Sequence, residues 1–290
     1  MQNRRYSVDL RRDLSARNLD RARDFSHELT CSELPSVIYS GDEGEHGNFL
    51  STAYQRILAS EDWSRRLRKV YTASRSVPRQ MDRRRSELDC AASSDALLMN
   101  IFCYPGVLTR RSVCSILGID RGARAELGFR PRTPLRDSHG DRTEIDLKLG
   151  SLLIEAKLTE RDFQSARPGL LQRYRDFDRV FEPELLPSSN GLLRSYQLLR
   201  GVLAAEHLQM SFCVLCDQRR PDLIEDWYQI VRSVYSAELR CRLKIITWQE
   251  LSFCLCRTQQ KFLETKYGIA VAYEKVPVGR GWKRRLERWL

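Results

Sequence analysis

The sequence predicts a mixed α/β sandwich built around one sheet. Three observations lead there. From Asn48 to about residue 120, several segments carry helix-like apolar spacing, as in "SSDALLMNIF". Two short apolar runs, "TEIDLKL" and "LLIEAK", are separated by Gly150-Ser151. Helical patterns then alternate with the buried-strand runs "SFCVLC" and "RLKIITW". With 290 residues, 42% hydrophobic and 30% charged, the chain can bury a substantial core and is unlike a disordered one. It has no apolar run of 18 residues, so a membrane-spanning helix is not expected.

In chain order, residues 1–45 are polar and arginine-rich and close with "SGDEGEHGN", which reads as a basic N-terminal arm, a tail or weakly helical. Leu50, Tyr54, Ile57, Leu58 and Leu67 predict an amphipathic helix from Asn48 to about Arg75. Ser93, Ser94 and Asp95 are good N-caps for the apolar helix that follows. "RRSVCSILGI" gives a further helix or turn, "AELGFR" a short strand, and "PRTPLRDSHGD" a turn-rich loop. Beyond the Gly-Ser break comes a loop-rich insertion with Pro168, Pro183 and Pro187, holding a helix around "LLQRYRDFDRVF". "NGLLRSYQLLRGVLAAEHL" reads as one helix with Leu192, Tyr196, Leu199 and Leu203 on a face. "DLIEDWYQIVRSVYSAEL" reads as another helix, and Thr247 with Glu250 makes a capping-box pattern opening a last one, "WQELSFCLCRTQQKFLETKYG". The expected units are the arm (1–45), a main domain (46–275) and a basic C-terminal tail (276–290).

The formal net charge is +11 and the pI about 9.4. Such a chain favours a polyanionic partner, above all nucleic acid, through counterion release. Arginines cluster in residues 4–23, in "RRLRK", in "RRR" at 83–85 and in "GRGWKRRLERWL". The N-terminus lacks the apolar core of a secretory signal and carries several aspartates, so a cytoplasmic location is expected. Nine cysteines sit mostly inside apolar runs. Cys213 and Cys216 on one strand would point to opposite faces, which suits buried thiols better than a shared metal site. The four histidines are scattered. His139, in the loop before the Gly-Ser break, is placed for at most a minor substrate contact.

The stretch "TEIDLKLGSLLIEAK" has two readings. As a helix it would place Ile145, Leu149, Leu152 and Ala156 on one face, with Gly150 in the middle costing about 1 kcal/mol relative to Ala. As strands, Ile145, Leu147 and Leu149 alternate with Glu144, Asp146 and Lys148, and Gly150-Ser151 makes the turn. The strand reading is the better one, because Gly150 is natural in a turn. Counting outward from Leu149 opposite Leu152, Asp146 faces Glu155 and Glu144 faces Lys157. Opposed carboxylates with Cβ atoms about 5 Å apart repel and call for a cation. Few hard oxygen ligands suit Mg²⁺ or Mn²⁺, which keep waters and take a substrate phosphate. The Ala156 carbonyl is a further candidate ligand, and Lys157 is placed to position a water or stabilise developing charge.

Asp146, eight intervening residues, then Glu155-Ala156-Lys157 resembles the motif of the PD-(D/E)XK nuclease superfamily, with its restriction-endonuclease-like fold. "SSDALLMNIF", "AELGFRP", "TEIDLKLG", "LLIEAKLTE" and "YQLLRGVLAA" are similar to a bacterial branch of it, over residues 90–250. The resemblance implies an αβββαβ core, here a mixed sheet flanked by helices with extra helices at both ends. It also implies Mg²⁺-dependent phosphodiester cleavage of nucleic acid, most often DNA, in restriction, defence or repair. It maps the metal-binding acids to Asp146 and Glu155 and the catalytic lysine to Lys157. A further metal-binding glutamate falls on Glu126, with Glu160 the alternative. Gln197 and Arg200, with Arg194, take the place of the polar residues that the helix after the core strands contributes to catalysis and nucleic-acid contact. The proline of the motif's name is replaced by Ile145. Double-strand cutters of this kind commonly dimerise, so a homodimer is also an expectation. The rival readings are a nucleic-acid binder on the same fold without chemistry, and an RNA-directed nuclease.

Overall fold

A computed structural model describes residues 2–30, 34–42, 44–69 and 86–270. The Gly-Ser break is a hairpin. Gly150 adopts φ 56°, a left-handed conformation that glycine enters without steric cost, and the chain reverses there. Strand β2 (Ile145–Leu149) thus lies antiparallel to β3 (Leu152–Ala156), with Leu149 opposite Leu152, Lys148 opposite Leu153 and Leu147 opposite Ile154. This is the register counted from the sequence. On the other side of β2, β1 (Ala125–Phe129) pairs antiparallel. Beyond β3 come β4 (Ser211–Cys216) and β5 (Leu243–Thr247), both parallel to their neighbours. The mixed five-stranded sheet has the order β5-β4-β3-β2-β1.

Every residue of β3 is buried because helices cover both faces of the sheet. On one face, Leu147, Leu149, Leu152, Ile154, Cys213 and Leu215 pack on α4 (Ser94–Phe102), α5 (Arg111–Leu117), α11 (Trp248–Phe253) and α12 (Arg257–Tyr267). On the other, Leu153, Phe212, Val214 and Cys216 pack on α8 (Tyr196–Leu208) and α9 (Pro221–Val231). Cys213 and Cys216 therefore serve opposite faces of the sheet, as their spacing requires. The order α4-β1-β2-β3-α8-β4 reproduces the αβββαβ core expected from the sequence. Among the described residues no helix is long and apolar enough to cross a membrane.

Several elements differ from expectation. The segment expected as a tail or weakly helical arm is a 21-residue helix, α1 (Gln2–Ala22), docked on α12. Leu10 and Leu14 enter the core, and buried Asn18 accepts from Lys266 Nζ at 2.6 Å. Burial, helped by the charge of Arg21, drives Lys266 toward its neutral form. Regularly spaced arginines conceal the narrow apolar stripe of α1. The helix expected from Asn48 is two, α2 (Ser51–Leu58) and α3 (Glu61–Arg66), because the Ser60 side chain caps the second; its expected end at 70–75 lies outside the described residues.

The expected helix at 190–208 begins only at Tyr196, and Leu192–Arg194 is a short strand paired with Ser165–Ala166 and Ser188–Ser189. Ser195 at φ 59° breaks the path between them. The insertion helix is two single turns, α6 (Pro168–Leu171) and α7 (Phe177–Val180). The segment after β4 splits into α9 and α10 (Ala237–Cys241). The last helix splits into α11, opened by the Thr247/Glu250 capping box, and α12. "RRR" at 83–85 and the basic tail at 276–290 lie outside the described residues.

Candidate active site

Strands β2 and β3 pair from the turn only as far as Leu147 and Ile154. Beyond that point each strand bonds outward, β2 to β1 and β3 to β4, and the gap between them opens. Into this gap goes the Asp146 side chain, whose Oδ2 accepts the Ala156 N–H at 2.8 Å. A carboxylate thus replaces the backbone acceptor that a continued ladder would offer. The N–H and carbonyl of one strand residue point to the same side, so the Ala156 carbonyl also faces the gap.

Glu155 and Lys157 flank Ala156, both buried, and Lys157 Nζ donates to Glu155 Oε1 at 2.6 Å. Burial pushes the Asp146 carboxyl well above the usual carboxylate range, and the negative charges of Glu155 and then Asp95 add to it. Burial alone would drive Lys157 toward neutrality. The carboxylates of Glu155, Asp146 and Glu160 overcome that, so the ammonium is held above its ordinary pKa. Asp146, Glu155 and Lys157 are therefore one electrostatic unit, short of positive charge at Asp146.

The backbone that carries Lys157 is tied on every side. Its N–H donates to Leu215 O at 2.8 Å and its carbonyl accepts from Trp248 Nε1 at 2.9 Å. Two residues on, Thr159 O accepts from Ser7 Oγ of α1 at 3.0 Å and from Arg11 at 3.3 Å. The fully buried Arg220 guanidinium bonds the carbonyls of Glu160 at 2.7 Å and Arg161 at 3.0 Å while paired with Asp222. Glu160 accepts from Ser94 Oγ at 2.5 Å and from Leu158 N at 2.6 Å. It braces the end of β3 and lies beside Lys157.

Other expected residues fall elsewhere. Glu126 does not join Asp146: it sits opposite Lys148 on β1 and is bonded to it at 2.5 Å. Glu144 faces away from Lys157, and its Oε1 takes Arg66 at 2.8 Å and Lys69 at 3.3 Å. The count outward from the turn holds only to Leu147 and Ile154, where the ladder opens, so neither the expected Glu144–Lys157 pair nor the expected Asp146–Glu155 pair is a ladder pair. Gln197 is half-buried in the first turn of α8. Arg200 is not on a wet helix face; it is buried and donates to the Glu144 carbonyl at 3.2 Å, bracing the approach to Asp146. Arg194 precedes the helix and is bonded to buried Asp226 at 2.8 Å. His139 is exposed and lines a shallow cleft with Pro134, Leu135, Arg136, Ser138 and Arg175.

Asp95 is the acid that sequence reasoning left out of the site. It is 2% exposed at the start of α4, where its charge bears on Asp146. Arg66 at 2.9 Å and Lys69 at 2.7 Å neutralise it, and Lys69 also reaches Glu87 at 3.1 Å. In the sequence Asp95 looks like a helix-start residue, and only its burial marks it out.

Among the described residues no three acidic, histidine or cysteine side chains form a ready cation cage. The donors that these two strands offer at the gap are hard oxygens: Asp146, Glu155 and the Ala156 carbonyl. A buried carboxyl held up by like charge is what a divalent cation would relieve. So few donors fit an ion that keeps water and borrows phosphate oxygens. Residues 22–268 match the family model described as "Restriction Endonuclease associating with ARP". No curated protein and no solved structure matches the chain.

Proposed function

The chain belongs to the family of restriction endonucleases associating with ARP, and from that premise we propose that it is a metal-dependent endonuclease of the PD-(D/E)XK type acting on duplex DNA. The observation that carries this reading is the opened β2–β3 gap, with Asp146 bonded to the Ala156 N–H and Glu155 and Lys157 on either side. In this reading Asp146, Glu155 and the Ala156 carbonyl hold Mg²⁺ or Mn²⁺. When bound, that ion supplies Lewis acidity at the phosphate and a more acidic water.

The chain's own residues do the rest. Lys157, cationic and fixed by its tied backbone, points its ammonium at the acids, where it can orient an attacking water and offset charge building on a phosphoryl oxygen. Glu155 sets the position of Lys157 through their 2.6 Å pair. Arg200 fixes the strand entry through the Glu144 carbonyl, and Gln197 stands at the start of the same helix. The family's description names an association with ARP, and we extend to this chain the expectation of such a partner. A homodimer would provide the two centres that cutting both strands requires.

The test is cleavage of duplex DNA, single-stranded DNA and RNA by the purified chain with Mg²⁺, Mn²⁺, Ca²⁺ or a chelator. Duplex DNA should be cut with Mg²⁺ or Mn²⁺ and left whole with chelator. Asp146→Asn keeps an acceptor for the Ala156 N–H, so it should fold normally yet lose about 10²-fold or more in rate. Full activity in that variant would end the reading. Binding without cleavage under every ion would favour the inactive binder, and cleavage of RNA alone the RNA-directed enzyme.

A further inference from the structure

The acids of the site pose a problem for a polyanionic substrate. Asp146, Glu155, Asp95, Glu144 and Glu160 cluster where a phosphate must arrive, so attraction has to come from around the centre. The sheet topology says which loops those are. Strand β1 ends, β2 begins and β3 ends at the same edge of the sheet, the edge that holds Asp146 and Glu155. Two loops leave from that edge: residues 130–142 between β1 and β2, and the segment from 158 into the insertion before α8.

These loops form one lobe. Leu135 bridges to Tyr174, Arg136 N donates to Arg173 O at 2.8 Å, and Arg175 N donates to Pro134 O at 3.1 Å. Tyr174 Oη donates to Asp141 at 2.6 Å, and Asp141 also accepts from Thr143, two residues before β2 proper. The lobe is thereby fastened to the strand that carries Asp146.

Its free charge is arginine. Residues 130–142 hold four arginines against two aspartates, while residues 158–195 hold six arginines against six acids. The aspartates are occupied: Asp137 pairs with Arg173 and Asp162 with Arg161. Arg130, Arg132, Arg142 and Arg167 are exposed, and none of the four has an ion pair or side-chain hydrogen bond among the described residues. Unpaired guanidiniums have no carboxylate to give up when a phosphate arrives, and each can bond it through two N–H groups. The cleft that holds His139 and Arg175 opens on the same lobe.

The geometry points to this lobe as the surface that grips duplex DNA beside the cleavage centre, with Arg130, Arg132, Arg142 and Arg167 on successive phosphates. The inference deepens the nuclease reading by naming its substrate-holding surface, yet its test needs no cleavage. Fluorescence anisotropy with a labelled 20-base-pair duplex, in chelator and across a salt series, compares three full-length proteins: the wild type, the Arg130→Gln/Arg132→Gln/Arg142→Gln/Arg167→Gln variant, and a control. The control neutralises Arg110, Arg111, Arg232 and Arg257, exposed residues outside the lobe, so its net charge equals that of the test variant.

Each phosphate left without its arginine lowers the slope of log affinity against log salt by about 0.9. The lobe variant should therefore lose about 3.6 in slope, with unchanged unfolding temperature, while the control keeps most of the wild-type slope. Equal losses in both variants would reduce the effect to bulk charge and overturn the assignment. So would wild-type affinity in the lobe variant, or a wild type that binds no duplex. A chain that grips DNA in this way but never cuts it would leave the lobe standing and sink only the nuclease reading.

Discussion

At the scale of single residues, two buried carboxyls make the same demand on the fold: both are held toward the protonated form. Asp146 is held protonated-leaning by burial and by Glu155, so its ionised form strains the folded state when no cation is present. Asp146→Asn should therefore unfold at a higher temperature than the wild type at neutral pH in chelator, even as it abolishes cleavage; a lower temperature would contradict the electrostatic account. Asp226 is pushed up to about 6 by burial, against the pull of Arg194. A carboxyl with a raised folded-state pKa binds its proton more tightly when folded, so stability falls as pH climbs from about 4 to 6. The penalty is complete above that window. Asp226→Asn should accordingly gain on the wild type across those pH values in chemical denaturation, and parallel curves would refute it. The sequence made Asp146, Glu155 and Lys157 legible because their spacing is local to one hairpin. The settings of Asp95, Arg200 and Arg194 were not legible, because burial and partner are set by chain 26 to 56 residues away.

At the scale of elements, the hairpin and the strands after it were readable, since alternation and a turn glycine speak for themselves within a dozen residues. Helix ends were not. The breaks at Ser60 and Ser195 depend on a side-chain cap and on a left-handed serine, which apolar periodicity runs straight through. The seat of α8 on β4 gives a sharp test. A Cβ on Gly201 would lie 2.2 Å from the Phe212 ring. In an exposed helix Gly→Ala gains about 1 kcal/mol, whereas forcing a methyl into a packed interface costs about 1–3 kcal/mol. The steric cost should win. Gly201→Ala is expected to destabilise by about 1 kcal/mol or more in urea titration, and a stabilised variant would show that α8 can slide freely on the sheet.

At the scale of the molecule, the basic balance read from composition holds together with the lobe at the site edge, but composition could not say where the charge would gather. Nor could it show that α1 is structural. Ser7 and Arg11 hold the Thr159 carbonyl, while Asn18 meets Lys266 across 248 positions of sequence. Deleting residues 1–22 should lower both the unfolding temperature and the cleavage rate, whereas an inert arm would change neither. The same long reach sets an order of events during biosynthesis. The first helix leaves the ribosome well before its partner on α12 exists. At about 5–20 residues per second the wait lasts on the order of 10–50 s. Until α12 has been made, α1 lacks its seat, and the peptide downstream of Lys157 lacks the hold of Ser7 and Arg11 on the Thr159 carbonyl.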